Sequence, residues 1–410
     1  MDNNLIFWLI IAIPVLGFIT ERWLDYLNSK MWSVNLPDKL VGICNEDDYK
    51  KTQLYDKESK KLSVWSSSFG LLIILCMIFF GGFAFVDNIS RAINANPVIC
   101  ALLFFGIIGF VSDIINIPFS YYDNFVIENK FGFNRMTIKI FITDHLKSWL
   151  IAIIIGAPVL GLITWLYYKI GSNFWLLAWG VIIVISVFIN FFYSELIVPL
   201  FNKEKPLEEG ELRNKIECFS EKVGFKLKNI YVIDGSKRST KANAYFSGFG
   251  SKKRITLFDT LMKELSDDEI VAVLAHEIGH YKKKHILHSL FLSMLTTGLM
   301  LFLLSVVIDN PVLHKALGAE LPSFQLSLIV FGILYSPLSL VIGLAANYFS
   351  RKNEFAADRF AKENFEAASL ASALKKLSVS NLSNMMPHPT YVFFYYSHPP
   401  LLKRLEKLEL

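Results

Sequence analysis

Seven long apolar stretches constrain this chain of 410 residues more than any other feature. The hydrocarbon core of a bilayer is about 30 Å thick, so an α-helix needs roughly 20 apolar residues to cross it. Such stretches lie at approximately 4–21, 68–87, 98–118, 148–168, 174–195, 287–308 and 325–349. The chain is 53% hydrophobic and 19% charged, against roughly 45–50% and 25% in soluble domains. We therefore predict an all-α multi-pass membrane protein with about seven transmembrane helices.

Lysine and arginine alternate between the loops, and this alternation predicts the topology. The segments after the first, third, fifth and seventh stretches are rich in basic residues, whereas the other three carry only Arg91, Lys169 and Lys315. Because short cytoplasmic loops carry the excess of basic residues, we expect the N-terminus outside and the basic segments in the cytosol. The net charge of +5 is spread over these segments rather than gathered in one patch, so we expect no nucleic-acid partner.

The pattern divides the chain into four parts. Residues 1–195 are expected to hold transmembrane helices one to five with their cytosolic loops, and 287–349 to hold helices six and seven. Residues 196–286 contain two short β-rich runs, 231–233 and 254–257, and predict part of a small α+β domain on the cytosolic side. Residues 350–410 are expected to be cytosolic helices that complete this domain.

His276, Glu277 and His280 form an HExxH motif. Ser266, followed by Glu269, is a capping-box pattern that predicts a helix start just before the motif. The two histidines then lie on one helical face, where they can share a cation, and Glu277 can reach a metal-bound water. So short a motif also arises by chance, and a catalytic zinc needs a third protein ligand.

We predict that third ligand in the segment that follows the seventh stretch. Glu354 and Asp358 are four residues apart, on one face of a predicted helix. Glu354 is expected to bind the metal, and Asp358 to accept a hydrogen bond from the ring N–H of a ligand histidine. A solvated acidic face is the ordinary alternative, and the HExxH motif favours the metal site. One Zn²⁺ held by His276, His280 and Glu354 is the prediction, with Glu277 as general base.

These residues resemble a known family. The segments 276–280 and 354–358 are similar to those of the type I CAAX prenyl proteases, which are integral-membrane zinc metallopeptidases. Segments 122–134, 243–249 and 397–404 resemble a loop, a substrate-side strand and a C-terminal motif of that family, so the resemblance covers essentially the whole chain. It implies tilted helices around an intramembrane chamber, with zinc near the cytosolic end. It also implies removal of the C-terminal tripeptide after a prenylated cysteine.

The resemblance implies roles for four further residues. Asn243 and Tyr245 are expected to bind substrate along an edge strand, to which an extended peptide can pair. His398 and Arg404 are expected to stabilise the oxyanion of the reaction. On the residues alone, an ordinary strand with an aromatic anchor and a turn with a surface histidine remain open alternatives.

Two other functions remain open on the sequence. One is a quality-control protease for non-prenylated membrane proteins. The compact sixth loop favours such a bacterial member, so we expect a bacterial cytoplasmic membrane first and the endoplasmic reticulum second, with the active site facing the cytosol. The other is a non-enzymatic transporter with a structural metal, although structural zinc usually has four protein ligands. His145, His285 and His288 are expected to be interfacial side chains rather than ligands.

Overall fold

The computed structural model describes residues 3–408, except 226, 228 and 248–253. The first half is helical: α1 Asn3–Ser29, α2 Glu46–Phe79, α3 Gly82–Ile93, α4 Pro97–Tyr122, α5 Ile138–Ile151, α6 Ala157–Ile170, α7 Phe174–Phe192 and α8 Val198–Phe201. Turns of π-helix at Asp123–Glu128, Ala152–Gly156 and Tyr193–Ile197 extend α4, join α5 to α6 and join α7 to α8.

The second half combines helices with short strands. The strands are β1 Glu204–Pro206, β2 Asn229–Ile233, β3 Ala244–Ser247 and β4 Arg254–Phe258. The helices are α9 Glu211–Lys222, α10 Asp259–Glu264, α11 Asp267–Lys282, α12 His285–Val307, α13 Pro311–Lys315, α14 Phe324–Asn364, α15 Ala367–Ser380, α16 Pro389–Tyr395 and α17 Leu401–Leu408.

Six helical segments of the described chain are long and apolar enough to cross a membrane. One of them, Ile138–Phe201, has 64 residues, far more than the roughly 20 that one crossing needs. The chain turns within this segment at Gly171, whose φ of +67° is in the left-handed region that glycine adopts at little cost. Tyr167 of α6 then packs against Phe174 of α7, with ring centroids 5.5 Å apart. The predicted fourth and fifth stretches lie on either side of this turn.

The predicted bounds of the second stretch, 68–87, are wrong. The helix α2 ends at Phe79, and a separate helix, α3, follows from Gly82. Gly81 separates them with a φ of +64°, which breaks the helix although the apolar pattern continues. At its other end α2 starts already at Glu46, because the Asn45 side chain caps it by accepting a hydrogen bond of 2.7 Å from the Asp48 amide.

A four-stranded sheet lies in the region predicted to contain β structure. Its strand order is β1-β2-β4-β3, with β2 and β4 parallel and the other two pairs antiparallel. The two β-rich runs are confirmed as β2 and β4. The predicted edge strand is β3, in which Tyr245 lies opposite Thr256 of β4. Gly248 and Phe249, which belong to the same predicted segment, lie outside the described residues.

One hydrophobic core joins the sheet to α9, α11, α15 and α17. Leu274 of α11 and Leu370 of α15 are each about 1% exposed in this core. Leu40, from the loop after α1, and Tyr49, from the first turn of α2, are buried in the same core. The sequence did not predict that this loop contributes to the domain, because its few apolar residues have no clear periodicity.

The basic loops lie together against this domain. Lys241, just before β3, donates hydrogen bonds of 3.0 Å to Tyr55, in the basic first part of α2, and to Glu128, in the π-helical turn after α4. Arg238 makes a two-pronged ion pair with Asp144, with N–O distances of 2.8 and 3.0 Å. The segments that the charge alternation assigns to the cytosol therefore form one assembly.

The second, fourth and sixth loops, which are poor in basic residues, also contact one another. Arg91, in the last turn of α3, donates a hydrogen bond of 2.8 Å to the Pro322 carbonyl of the sixth loop. Tyr167, at the end of α6, donates one of 2.7 Å to Asp309. These loops form a second group, and the division into two groups follows the predicted alternation.

We predict that Gly298→Ala destabilises the membrane helices by about 1–3 kcal/mol, the usual cost of overpacking. A Cβ at Gly298 of α12 would lie 2.8 Å from the Trp179 ring of α7. That ring is held in place by a hydrogen bond of 2.8 Å from Trp179 to the Met294 carbonyl. The melting temperature of the protein in detergent measures the effect.

Gly343→Ala is the matched control for this prediction. Gly343 also lies within a membrane helix, and a Cβ there would have no atom within 4 Å. The control is expected to leave the melting temperature unchanged or slightly raised, since alanine has the higher helix propensity. Equal melting temperatures for Gly298→Ala and the wild type would contradict the prediction.

Candidate metal centre

The helix α11 starts where the capping box predicts. The Ser266 amide donates to Glu269 at 2.8 Å, and the Glu269 amide donates to the Ser266 hydroxyl at 3.4 Å. Glu269 also accepts hydrogen bonds from Ser372 and Lys376 of α15, at 2.6 and 2.8 Å. The start of the helix is therefore fixed to the neighbouring helix as well as to its own backbone.

Gly279 allows α11 to cross α14 at very short distance. A Cβ at this position would lie 3.1 Å from the Phe360 Cβ and 3.2 Å from the Ala357 carbonyl oxygen. Ala357 is itself completely buried. Because Gly279 has no side chain and Ala357 has only a methyl group, α11 can bring both motif histidines directly against α14.

The two motif histidines and Glu354 converge at this crossing. The Nε2 atoms of His276 and His280 are 3.1 Å apart. Glu354 places Oε2 3.4 Å from the first Nε2 and Oε1 3.2 Å from the second. One ligand atom from each of the three residues lies within 4.8 Å of the other two. This group could hold a metal ion.

The chemistry of the three groups fits a cation. Two imidazole nitrogens face each other, so at most one proton can lie between them. The Oε2 atom of Glu354 is buried and has no hydrogen-bond partner in the described part of the chain. A buried acceptor without a partner is costly, and a bound cation would satisfy it together with both nitrogens. Two nitrogens and one carboxylate form a donor set typical of catalytic zinc.

Asp358 and Arg404 orient His276. Asp358 Oδ1 lies 2.8 Å from His276 Nδ1, so the ring turns Nε2 towards Glu354. Arg404 of α17 donates to both oxygens of Asp358, at 2.9 Å from Nε and 2.6 Å from Nη2. This planar two-pronged geometry is the strongest form of such a pair, and it fastens the C-terminal helix to the site.

Two pKa shifts follow from these contacts. Burial lowers the pKa of His276, but the nearby carboxylates of Asp358 and Glu354 outweigh burial and raise it to about 9. Burial also lowers the pKa of Arg404, and the hydrogen bond to Asp358 again outweighs it and raises that pKa. Arg404 therefore stays charged, and a metal ion would have to displace a proton from the histidine group.

Three further predicted site residues lie around the same cavity. The cavity has a volume of about 420 Å³, and its lining includes Asn243, Glu277 and His398. Glu277 is half-buried. His398 has 64% of its side chain exposed, and its Nε2 lies 3.3 Å from Oε1 of Glu354. The predicted base Glu277 and the predicted oxyanion donor His398 therefore line the same cavity as His276 and Glu354 of the metal group.

Tyr245 does not join this group. Its ring lies against Phe258, with centroids 6.3 Å apart, and it lines a neighbouring cavity of about 480 Å³. Asn243 lines both cavities. Because successive side chains of a strand point to opposite faces, Ala244 and Tyr245 of β3 lie on different sides of the edge strand.

The expectation that His285 is an interfacial side chain is wrong. Its ring is buried, and its Nδ1 lies 3.0 Å from Nδ1 of the metal-group residue His280. Lys284 causes this placement, because its φ of +58° turns the chain so that α12 begins against α11. His288 is exposed, and His145 contacts the Phe141 carbonyl. The only sequence signal for His285 is its position five residues after the second motif histidine.

The comparisons with known proteins match this architecture. Residues 25–203 match the family described as CAAX prenyl protease N-terminal, five membrane helices, and residues 206–410 match peptidase family M48. The chain belongs to the M48 metallopeptidases. It is 34% identical to CAAX prenyl protease 1 of Saccharomyces cerevisiae, across 100% of this chain and 97% of that one. The CAAX prenyl protease 1 homolog of Homo sapiens is 31% identical, across 97% and 94%.

A solved structure is similar over the whole length. The crystal structure of S. mikatae Ste24p superposes with a TM-score of 0.94 at 34% identity, covering 100% of both chains. These matches confirm the predicted fold class and the assignment to the CAAX prenyl protease 1 family, and they give no support to the transporter. The relatives named here are eukaryotic, so they do not support the expectation of a bacterial membrane for this M48 peptidase.

We predict that Asp358→Asn weakens metal binding by about 10–100-fold, the usual effect of losing a partner of a ligand histidine. Asparagine has nearly the same shape but removes the charge that orients His276 and pairs with Arg404. The dissociation constant for zinc, measured by chelator competition in detergent, tests this effect. Asp47→Asn, at an exposed position of α2, is the control, and equal zinc affinity in both variants would refute the role of Asp358.

Proposed function

We propose that this protein is a zinc endopeptidase that removes the C-terminal tripeptide after a prenylated cysteine of its substrate. The observation that carries the proposal is the convergence of His276, His280 and Glu354 on one point, with Glu277 in the same cavity. The substrate class is supported by the relatives that are named CAAX prenyl protease 1. One zinc ion is expected per chain.

The donor set supports a catalytic zinc rather than a structural one. Three protein ligands leave a position open for water or substrate, whereas structural sites are closed by a fourth ligand. When bound, the ion supplies Lewis-acid polarisation of the scissile carbonyl and a lowered pKa for a water molecule. His276, His280 and Glu354, from α11 and α14, would hold it, and Asp358 keeps the ring of His276 in the orientation that this needs.

Glu277 is the general base. It follows His276 on α11 and lines the cavity, so its carboxylate can take a proton from the attacking water as the oxygen bonds to the carbonyl carbon. The same proton passes to the amide nitrogen as the C–N bond breaks. Bond cleavage gives a carboxylic acid and an amine. The second proton of the water then passes from the new acid to the amine, so the products are a carboxylate and an ammonium group, and Glu277 returns to its ionised form.

Arg404 and His398 stabilise the negative charge that develops on the carbonyl oxygen. Asp358 accepts from Nε and Nη2 of Arg404, which leaves Nη1 directed to the site, 3.9 Å from Oε2 of Glu354. The Nε2 atom of His398 lies 3.3 Å from Oε1, the other carboxylate oxygen of Glu354. Hydrogen-bond donors that are already in position before the reaction need not reorganise when negative charge develops on the carbonyl oxygen.

The edge strand β3 binds the substrate in an extended conformation. Among the described strands only β4 pairs with β3, and a peptide can add to such an edge through main-chain hydrogen bonds. Asn243 contacts the peptide beside the metal cavity. Tyr245 contacts it from the second cavity, which Asn243 also lines and which receives a neighbouring side chain of the substrate. The substrate reaches this strand through the intramembrane chamber that the family resemblance implies.

The active site faces the cytosol. The four segments rich in lysine and arginine lie on the side of the metal centre, and such segments stay on the cytosolic side. The same orientation holds in a bacterial cytoplasmic membrane and in the endoplasmic reticulum.

We predict that Glu277→Gln lowers peptide cleavage by about 10²–10⁴-fold, the usual contribution of a general base, and keeps one zinc per chain. Wild type, this variant and Glu363→Gln, an exposed control on α14, are purified in detergent. Zinc content is measured by elemental analysis. Cleavage is then assayed with a farnesylated CAAX peptide and its unprenylated twin.

The two substrates separate the possible outcomes. Cleavage of the farnesylated peptide alone supports the proposed substrate class, and equal cleavage of both supports the quality-control alternative. Stoichiometric zinc with no loss of cleavage in Glu277→Gln would overturn the assignment of the base. Absence of zinc from the folded wild-type protein would overturn the proposed function itself.

A further inference from the structure

We propose that His285 is a positioning residue for the metal ligand His280. Its Nδ1 accepts a hydrogen bond from the Nδ1–H of His280 and thereby holds the other nitrogen, Nε2, towards the ion. The inference rests on the proposed zinc site. It assigns a role in the metal centre to the first residue of the membrane helix α12.

The ring orientation of His280 determines the direction of this hydrogen bond. Nε2 of His280 lies 3.1 Å from Nε2 of His276 and 3.2 Å from Oε1 of Glu354, so Nε2 is the nitrogen that faces the metal group. A neutral imidazole carries one proton, which must then be on Nδ1. The Nδ1 of His285 lies 3.0 Å away, within hydrogen-bond distance. His285 is therefore the acceptor, and its own proton is on Nε2.

The position of His285 is built into the fold. Its side chain is only 8% exposed, and its ring stands nearly edge-on to that of His280, at 73° with centroids 5.1 Å apart. Lys284 connects α11 to α12 with a φ of +58°, a conformation that residues other than glycine seldom adopt. Because α12 begins directly after this turn, its insertion in the membrane fixes the ring that orients the ligand.

The two ligand histidines thus have different partners. His276 donates to the carboxylate of Asp358, which also pairs with Arg404, whereas His280 donates to a neutral ring. Partners of this kind fix the tautomer and the orientation of a ligand histidine, and their loss typically costs 10–100-fold in metal affinity. If the His285 ring only filled space, its replacement by an apolar side chain of similar size would leave the metal affinity unchanged. Measuring the metal affinity therefore distinguishes the two roles.

The test compares His285→Asn with His285→Leu in the full-length protein in detergent. Asparagine and leucine have almost the same shape, but only asparagine places an acceptor oxygen near the position of Nδ1. The measured quantity is the dissociation constant for zinc, by competition with a chromophoric chelator. His288→Leu, at an exposed position on the same helix, is the matched control.

We expect His285→Leu to bind zinc about 10–100-fold more weakly, and His285→Asn and His288→Leu to stay within about threefold of the wild type. The visible spectrum of the cobalt(II)-substituted protein is expected to change in the leucine variant and to be restored by asparagine. If the leucine variant fails to fold, His285→Gln replaces it, because its amide extends one methylene further and misses the position of Nδ1.

Two results would overturn the inference. One is wild-type affinity in His285→Leu, and the other is an equal loss in His285→Asn and His285→Leu. Either result leaves the proposed function intact as long as the wild type binds one zinc. Failure of the wild type to bind zinc would instead overturn the proposed function, so the two failures are distinguishable.

Discussion

The close crossing of α11 and α14 at Gly279 is the constraint on which the metal centre depends. The proposed ligands come from two helices, and their side chains can meet only if the two backbones approach without a side chain between them. Gly279 supplies this space on one helix and the small residue Ala357 on the other. Once the helices are in contact, the remaining parts of the site follow, because Asp358 lies one turn beyond Glu354 and recruits Arg404 from α17.

The same crossing balances charge inside the protein. Glu354 and Asp358 bring two buried carboxylates together, and half-buried Glu277 adds a third in the same cavity. Arg404 pairs with Asp358. With the ligand histidines neutral, two carboxylate charges are left, and a divalent ion would neutralise them. Buried charges are tolerated only when they are paired or coordinate a metal. The proposed zinc ion therefore completes the electrostatics of the site as well as its chemistry.

The metal centre is built directly on membrane helices. The helix α14 runs for 41 residues, from its apolar start to beyond Asp358, and α12 begins with His285. Both helices are placed by their apolar surfaces in the bilayer, so the position of the site relative to the membrane is set by the chain itself. Lys241 and Arg238 add two further links, because they join the sheet domain to the loops between the membrane helices. The sheet domain and the candidate metal site are thereby held against the membrane helices.

The sequence by itself determined the features that local patterns carry. These are the membrane stretches, the charge alternation, the capping box before α11, strands β2 and β4, and the spacing of the histidines.

Only the tertiary structure decided the break at Gly81, the side of β3 on which Tyr245 lies, the burial of Leu40 in the core and the contact of His285 with His280. The physical reason is that a helix or a strand follows from the period of its own residues. The neighbour of a side chain depends instead on how distant segments pack and on the turns, such as that at Lys284, which join them.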